Sequence, residues 1–497
     1  MAEERTGYWK SLAERDGEPA FLETLDREFA TPPGAAPVGL NRRNFLKAAG
    51  FFFTSAALAG CQRTPERLAL PQVVQSPEQV PGRPLQYATT CGGCNAGCGV
   101  LAKTVDGRPI KLEGNPDHPL SRGGLCAAGQ ASILGLYDGL RLQQPLKKGE
   151  RTTWNSVDDE IRAQLEEIRQ QGKAVYFLSS TITSPTTRQA IAKFLIGFPN
   201  RHQVVFDAVS CSAILDAHFA THGVRELPRY RLEAADVIVS FDADFLGTWI
   251  SPVQFTAGYR AGRQLEGAHP HLSYHVQIES RLSLTGSKAD QRLCVPPGEL
   301  GVVMTHLAAR VAQKSGLTWG NGQVAATSVP AAVLDDLAER LWKARGRSLV
   351  LCGSQDVAHQ QLCNFLNHLL ANYGSTLDVT QPSHQSESND SSMKQLLEDL
   401  RQGQVGALFV YRSNPLYDLP DSQALTESLR NVPLLVSFSS SLDETAAKAT
   451  YVCPEPHYLE TWNDAEAEAG VVSLCQPVMR PLGNARSLLE TLASWMG

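Results

Sequence analysis

Beyond residue 150, short apolar runs alternate with amphipathic stretches along the chain. Residues 174–178, 204–207, 237–241, 349–352, 407–411 and 434–438 are continuously apolar or nearly so, and flanked by polar residues, which predicts buried strands. Between them, residues 162–169, 187–196, 331–345 and 393–401 carry apolar positions at helical spacing. Strands that alternate with helices predict parallel, doubly wound α/β sheets. The pattern before residue 150 differs. There an Asp106-Gly107 turn between two alternating stretches predicts a hairpin. Residues 66–85 are rich in Pro and Gln and read as a linker.

Composition narrows the class. The chain has 497 residues, 42% hydrophobic and 19% charged, with a net charge of −6. That suits a globular protein of several domains and leaves no basic footprint for nucleic acid. From residue 62 onward, no segment approaches the roughly 18 apolar residues that span a bilayer.

Eleven cysteines are present, and four of them fall within 91–126. A disulfide framework would not cluster them so. Their pattern is Cys91-x2-Cys94-x3-Cys98, with Cys126 after a long interval. Three thiolates on a tight loop and a fourth returned by the fold suit a [4Fe–4S] cube. Gly92, Gly93, Gly97 and Gly99 let such a loop wrap closely and aim amides at sulfur. Zinc is the structural rival, although its sites favour two paired Cys-x2-Cys knuckles. An empty, vestigial site is the third reading.

The first sixty residues read as an address. Arg42-Arg43-Asn44-Phe45-Leu46-Lys47 precedes an apolar stretch, Ala48 to Gly60, that is too short to span a membrane. This order is that of a twin-arginine export signal. Leu58-Ala59-Gly60-Cys61 also matches a lipoprotein-processing box, which would make Cys61 a lipid anchor. The plainer readings are a buried helix beginning with two arginines, and simple cleavage with Cys61 lost or free.

Several strings resemble a known family. Residues 91–146 include Val105-Asp106-Gly107-Arg108-Pro109-Ile110 and Arg122-Gly123-Gly124-Leu125-Cys126, and resemble the N-terminal cluster domain of molybdopterin oxidoreductases. Tyr8-Trp9-Lys10-Ser11-Leu12, well ahead of the arginines, resembles the extended leader of one subgroup, the large iron–sulfur subunits of alternative complex III and their relatives. The resemblance implies a leader over 1–61, a linker over 62–85 and a [4Fe–4S] domain over 86–130. It further implies one α/β domain over 131–171 and 301–497, with a second, 172–300, inserted in it, and no C-terminal lid domain after Gly497.

Site residues follow the same resemblance. Active members hold pterin dinucleotides on Gly-x-Asn turns. Tyr411-Arg412-Ser413-Asn414-Pro415 keeps the Asn-Pro of one turn, though an ordinary strand-to-helix turn reads the same way. Asp242 and Asp244 occupy the other, where acids would repel a phosphate. Ala128 stands where active members usually carry a cation between cluster and pterin. Cys211 lies near the place of the molybdenum ligand, though it reads more simply as a buried residue at a helix start. These departures argue against bound molybdopterin guanine dinucleotide.

The resemblance therefore implies an iron–sulfur and scaffold subunit of a quinol-oxidising complex at the outer, periplasmic face of a membrane. Its partners would be a ferredoxin-like iron–sulfur subunit, an integral-membrane quinol-binding subunit and cytochrome c subunits. The alternatives are a molybdopterin-dependent reductase or dehydrogenase using Cys211, and a non-redox structural subunit. His118, His202, His218 and His384 lack metal-ligand spacing and read as core or surface residues. Asp158-Asp159-Glu160 reads as a solvated helix start.

Overall fold

The computed structural model describes residues 82–265, 271–318 and 324–496. The leader residues Arg42, Arg43 and Cys61 lie outside them.

The chain enters through a three-stranded antiparallel sheet, Leu85–Thr90, Gly99–Val105 and Arg108–Gly114. The last two form the expected hairpin. Asp106 and Gly107 both take positive φ, 49° and 74°, as a two-residue turn that matches the strand twist requires. Two short helices, Ala127–Ala131 and Ile133–Leu136, close this domain against the sheet.

The body holds two parallel sheets. The larger has seven strands, in the order Glu150–Arg151, Leu146–Lys147, Tyr451–Val452, Leu434–Ser437, Val405–Tyr411, Ala174–Ser179 and Arg201–Val205. The last five run parallel and the first two antiparallel. Helices Trp154–Gln171, Pro185–Ile196 and Leu488–Met496 cover one face, and Asp390–Arg401 and Ser422–Leu429 the other. The second sheet has four parallel strands, in the order Gln291–Cys294, Tyr274–Glu279, Val237–Phe241 and Ser348–Cys352. Leu300–Lys314, Ala331–Lys343 and Val357–Leu369 pack on one face, and Ser212–His222 and Pro252–Ala261 on the other. Central strands buried on both faces are why the runs were apolar without alternation.

Local signals place the helix ends. Ser184 caps Pro185–Ile196 by accepting the Thr187 amide, with Pro185 in the first turn. Thr153 caps Trp154–Gln171, and Gly172 ends it at φ 66°.

Sheet membership corrects the expected domain boundaries. Ala174–Ser179 pairs with Val405–Tyr411, Phe177 opposite Phe409, and Ser348–Cys352 pairs with Val237–Phe241. Cuts at 172 and 300 would sever both pairings. Membership is set by long-range hydrogen bonding, which no local stretch encodes. A four-stranded antiparallel sheet, Val471–Cys475, Asn463–Glu468, Leu377–Ser383 and Leu227–Tyr230, ties the parts together. It also reaches the first domain, where Thr90 donates to the Leu474 carbonyl at 3.0 Å and Thr89 to that of Gln476 at 3.0 Å.

The acidic run at 158–160 is only partly solvated. Asp159 is exposed, whereas Asp158 is buried and accepts from both Arg486 Nη atoms, at 2.8 and 2.6 Å, and from Trp495 Nε1 at 2.9 Å. Burial alone would raise its carboxyl. The bonds from Arg486, Ser494 and Trp495 outweigh that and hold it below its ordinary value of 3.8. A depressed carboxyl stabilises the fold above its unfolded-state value, and that contribution is lost as the pH falls through the folded value. Asp158→Asn is therefore expected to cost about 2 kcal/mol near neutrality. The gap to wild type should close below pH 3.8 in urea unfolding at stepped pH. A gap that persists unchanged in acid would contradict this role.

Candidate iron–sulfur centre and flanking clefts

The loop between the first two strands carries Cys91, Cys94 and Cys98. The Cys91 amide donates to the Cys98 carbonyl at 2.8 Å, which closes the loop on itself. Gly97 takes φ +62°, and a Cβ there would stand 2.8 Å from that of Ala467. Gly92 lies under Tyr458, where a Cβ would meet the Tyr458 side chain at 2.7 Å. Both glycines are thus required by close approach, and Gly97 by conformation as well.

Cys126 returns from the helical end of the domain and caps Ala127–Ala131, its Sγ accepting the Gly129 amide at 3.3 Å. The Gly93 amide points at Cys91 Sγ and the Ala96 amide at Cys94 Sγ. Burial pushes the Cys98 thiol up to about 12, and the thiols of Cys91, Cys94 and Cys126 add to the shift. The four sulfurs therefore sit within electrostatic reach of one another. Yet among the described residues no three His, Cys, Asp or Glu side chains converge closely enough to hold one metal ion. Four mutually coupled thiols on one loop and its return, supplied with backbone amides, suit a [4Fe–4S] cube.

The two parallel sheets present matching turns at the carboxyl ends of their strands, where open α/β sheets bind ligands. After Val237–Phe241, Asp242 takes φ 54°, and Asp244 Oδ1 accepts from the amide and hydroxyl of Thr285 at 3.1 and 2.8 Å. After Val405–Tyr411, Arg412 takes φ 51°, and Asn414 Oδ1 accepts from the amide and hydroxyl of Thr445 at 3.2 and 2.7 Å. Each threonine hydroxyl also accepts an amide from the turn, that of Leu246 at 2.9 Å and that of Leu416 at 3.2 Å. Asp244 thus does the work of an asparagine. Its Oδ1 is taken up by Thr285, and Asp244 lines the same cleft as Asp242.

Two clefts open at these turns. One, of about 570 Å³, is lined by Arg412, Ser413, Asn414, Asp418, Asp443 and Glu455 among others. The second, of about 340 Å³, holds Asp207, Cys211, Asp242, Asp244 and Arg281. Cys94 and Asn95 line both, so the cluster loop stands between them. In each, three carboxyl groups face one arginine. His457, in the first, is held down to about 4 by burial and stays neutral. Ala128 is exposed and offers no charge.

Cys211 precedes the helix Ser212–His222, as expected, and lines the second cleft. Burial pushes its thiol up to about 11, with Asp207 and Asp390 adding to the rise. Pro415 begins a single helical turn, Pro415–Asp418, behind Asn414.

Sequence reasoning read His384 as a core or surface residue and passed over its neighbours in 383–388. Gln385 is buried and donates to the Ala96 carbonyl of the cluster loop at 3.2 Å and to Ser251 at 3.1 Å. Ser388 accepts the Cys211 amide at 3.1 Å. A polar run of this kind reads as a surface loop, and only the packing shows it to be buried.

Residues 86–138 match the molybdopterin oxidoreductase Fe4S4 domain, and residues 292–494 match the molybdopterin oxidoreductase domain. The chain is 26% identical to the menaquinone reductase molybdopterin-binding-like subunit of Nitratidesulfovibrio vulgaris, over 93% of this chain and 72% of that one. It is 22% identical to the molybdopterin-containing subunit of thiosulfate reductase from Salmonella typhimurium, over 90% and 68%. Against a nitrate reductase of Klebsiella oxytoca it is 25% identical, over 70% of this chain and 47% of that one. Acetylene hydratase from Pelobacter acetylenicus shares the fold, with a TM-score of 0.64 at 16% identity over 82% of this chain and 68% of that one. Cluster loop, matched turns and sequence together place the chain in one family: it belongs to the molybdopterin oxidoreductase superfamily.

Proposed function

We propose that this chain is the exported iron–sulfur and scaffold subunit of a membrane-associated, quinol-oxidising complex resembling alternative complex III, and that it works without molybdenum. The cube would supply one-electron transfer. Cys91, Cys94, Cys98 and Cys126 would hold it, and the α/β body would dock a ferredoxin-like subunit, an integral-membrane quinol-binding subunit and cytochrome c subunits. The quinone link is supported by the menaquinone reductase relative. Among the described residues no helix is long and apolar enough to cross a membrane. Attachment would come from those partners or a lipid on Cys61, after export directed by Arg42 and Arg43.

The observation that carries the absence of molybdenum is the charge of the clefts. Each sets three carboxyl groups against one arginine. A pterin guanine dinucleotide would bring a pyrophosphate into each, with only one cation to meet it. No cation stands at 128 to bridge cluster and pterin.

Anaerobic purification followed by iron, sulfide, molybdenum and zinc analysis tests this. About four irons and four sulfides per chain without molybdenum is the expected result. Stoichiometric molybdenum would instead make the chain a molybdopterin-dependent periplasmic reductase or dehydrogenase, with Cys211 the first residue to replace. Neither metal, or zinc alone, would leave a non-redox structural subunit.

A further inference from the structure

The peptide between Ala96 and Gly97, in the cluster loop, is held at one end only. Both residues are buried. The Ala96 carbonyl accepts from Gln385 Nε2 at 3.2 Å. Among the described residues the Gly97 amide has no hydrogen-bond partner, although buried amides are nearly always paired. The peptide is trans, so this amide points away from its own carbonyl, and hence away from Gln385. Gly97 lines the small cavity that also holds Cys91 and Cys94. Ala467 packs against Gly97, and its carbonyl accepts the His384 amide at 2.9 Å. The segment that carries Gln385 thus braces this peptide twice.

The direction of the Gln385 amide is fixed from outside the loop. Arg229 Nε lies 3.0 Å from Glu468 Oε2. The other Glu468 oxygen accepts from Gln254 Nε2, which leaves Gln254 Oε1 facing Gln385. Gln385 Nε2 donates to that oxygen at 3.3 Å and to Ser251 Oγ at 3.1 Å, while Gln385 Oε1 accepts from Ser383 at 3.2 Å. A flipped amide would set its oxygen against two carbonyl oxygens, those of Ala96 and Gln254. An ion pair and a second glutamine therefore aim the donor at Ala96.

We propose that Gln385 is a positioning residue for the cluster: by holding the Ala96 carbonyl it aims the Gly97 amide at a cluster sulfur, and so raises the reduction potential. Reduction adds negative charge to the sulfurs, and a hydrogen bond to a charged acceptor is the stronger one. Gln385 also lines the cleft of about 340 Å³, so cleft and cluster share this side chain.

This inference rests on the cluster reading above, and iron and sulfide content checks that reading separately. The test is an EPR-monitored redox titration of the intact protein with dithionite. Gln385→Met keeps the length of the side chain and removes the donor. It is expected to keep its iron and to lower the potential, with roughly a tenfold change in the oxidised-to-reduced ratio, about 59 mV for a one-electron couple. Gln385→Asn keeps the amide but withdraws it from Ala96 by one methylene, and its potential is expected to fall as well. Full iron with an unchanged or raised potential in Gln385→Met would overturn the proposal. Should Gln385→Met lose its iron, Gln385→Asn decides alone: a fall with full iron supports the proposal, and no fall overturns it. Loss of iron from both variants would make Gln385 a structural prop and overturn the tuning role.

Discussion

Cys98→Ala is expected to strip the chain of its cluster, with iron falling from about four per chain to near zero and the visible absorption lost with it. Cys98 is buried, at 6% exposure, and its carbonyl closes the loop onto the Cys91 amide. Its thiol is coupled to the other three. Removing it would leave three of the four thiols to hold a cube, beside an apolar patch that includes Ala96 and Val100. Cys475→Ala is the control. Cys475 is also buried and lies in the same small cavity as Cys91 and Cys94, but it ends an edge strand of the antiparallel sheet. It should keep its iron. Full iron in Cys98→Ala, or equal loss in both variants, would dismiss the ligand assignment.

Arg141→Met is expected to be the most destabilising single replacement outside the cores, at about 3–5 kcal/mol. Arg141 meets Glu460 at 2.5 and 3.3 Å and donates to the Leu136 carbonyl at 2.9 Å, with the two side chains 8% and 0% exposed. Glu460 also accepts the amides of His457 and Leu482, both at 2.8 Å. Without the guanidinium a carboxylate stays buried with only amides to meet it, and that uncompensated charge sets the cost. The pair joins the exit of the cluster domain to the segment that presents Tyr458. Urea unfolding followed by far-ultraviolet circular dichroism measures the effect. Arg141→Met combined with Glu460→Gln removes the stranded charge and should cost less than the single change. A single-variant cost below about 1 kcal/mol would mean that water reaches the site and the pair behaves as a surface one.

The cluster ligands were legible because their chemistry is local. Three thiols on one loop, glycines at the close approaches and an Asp-Gly turn at positive φ are all written within about sixty residues of chain. Buried parallel strands were equally legible. The run at 237–241 is a strand over the expected residues, and that at 434–438 ends one residue early. Asp244 was legible in position but not in role, since nothing in the string says that Thr285 will meet its carboxylate.

What the chain's own pattern determined is thus the set of elements and the donor chemistry of Cys91, Cys94, Cys98 and Cys126, because apolar periodicity, turn conformation and ligand spacing act over a few residues. What only the tertiary structure decided is which strands share a sheet, that Asp158 and Gln385 are buried, that Cys94 stands between two acidic clefts, and that Tyr458 covers Gly92. Each of these depends on pairings between residues about 110 to 370 positions apart, through hydrogen bonds and packing that form when the two sheets and the cluster domain close on one another.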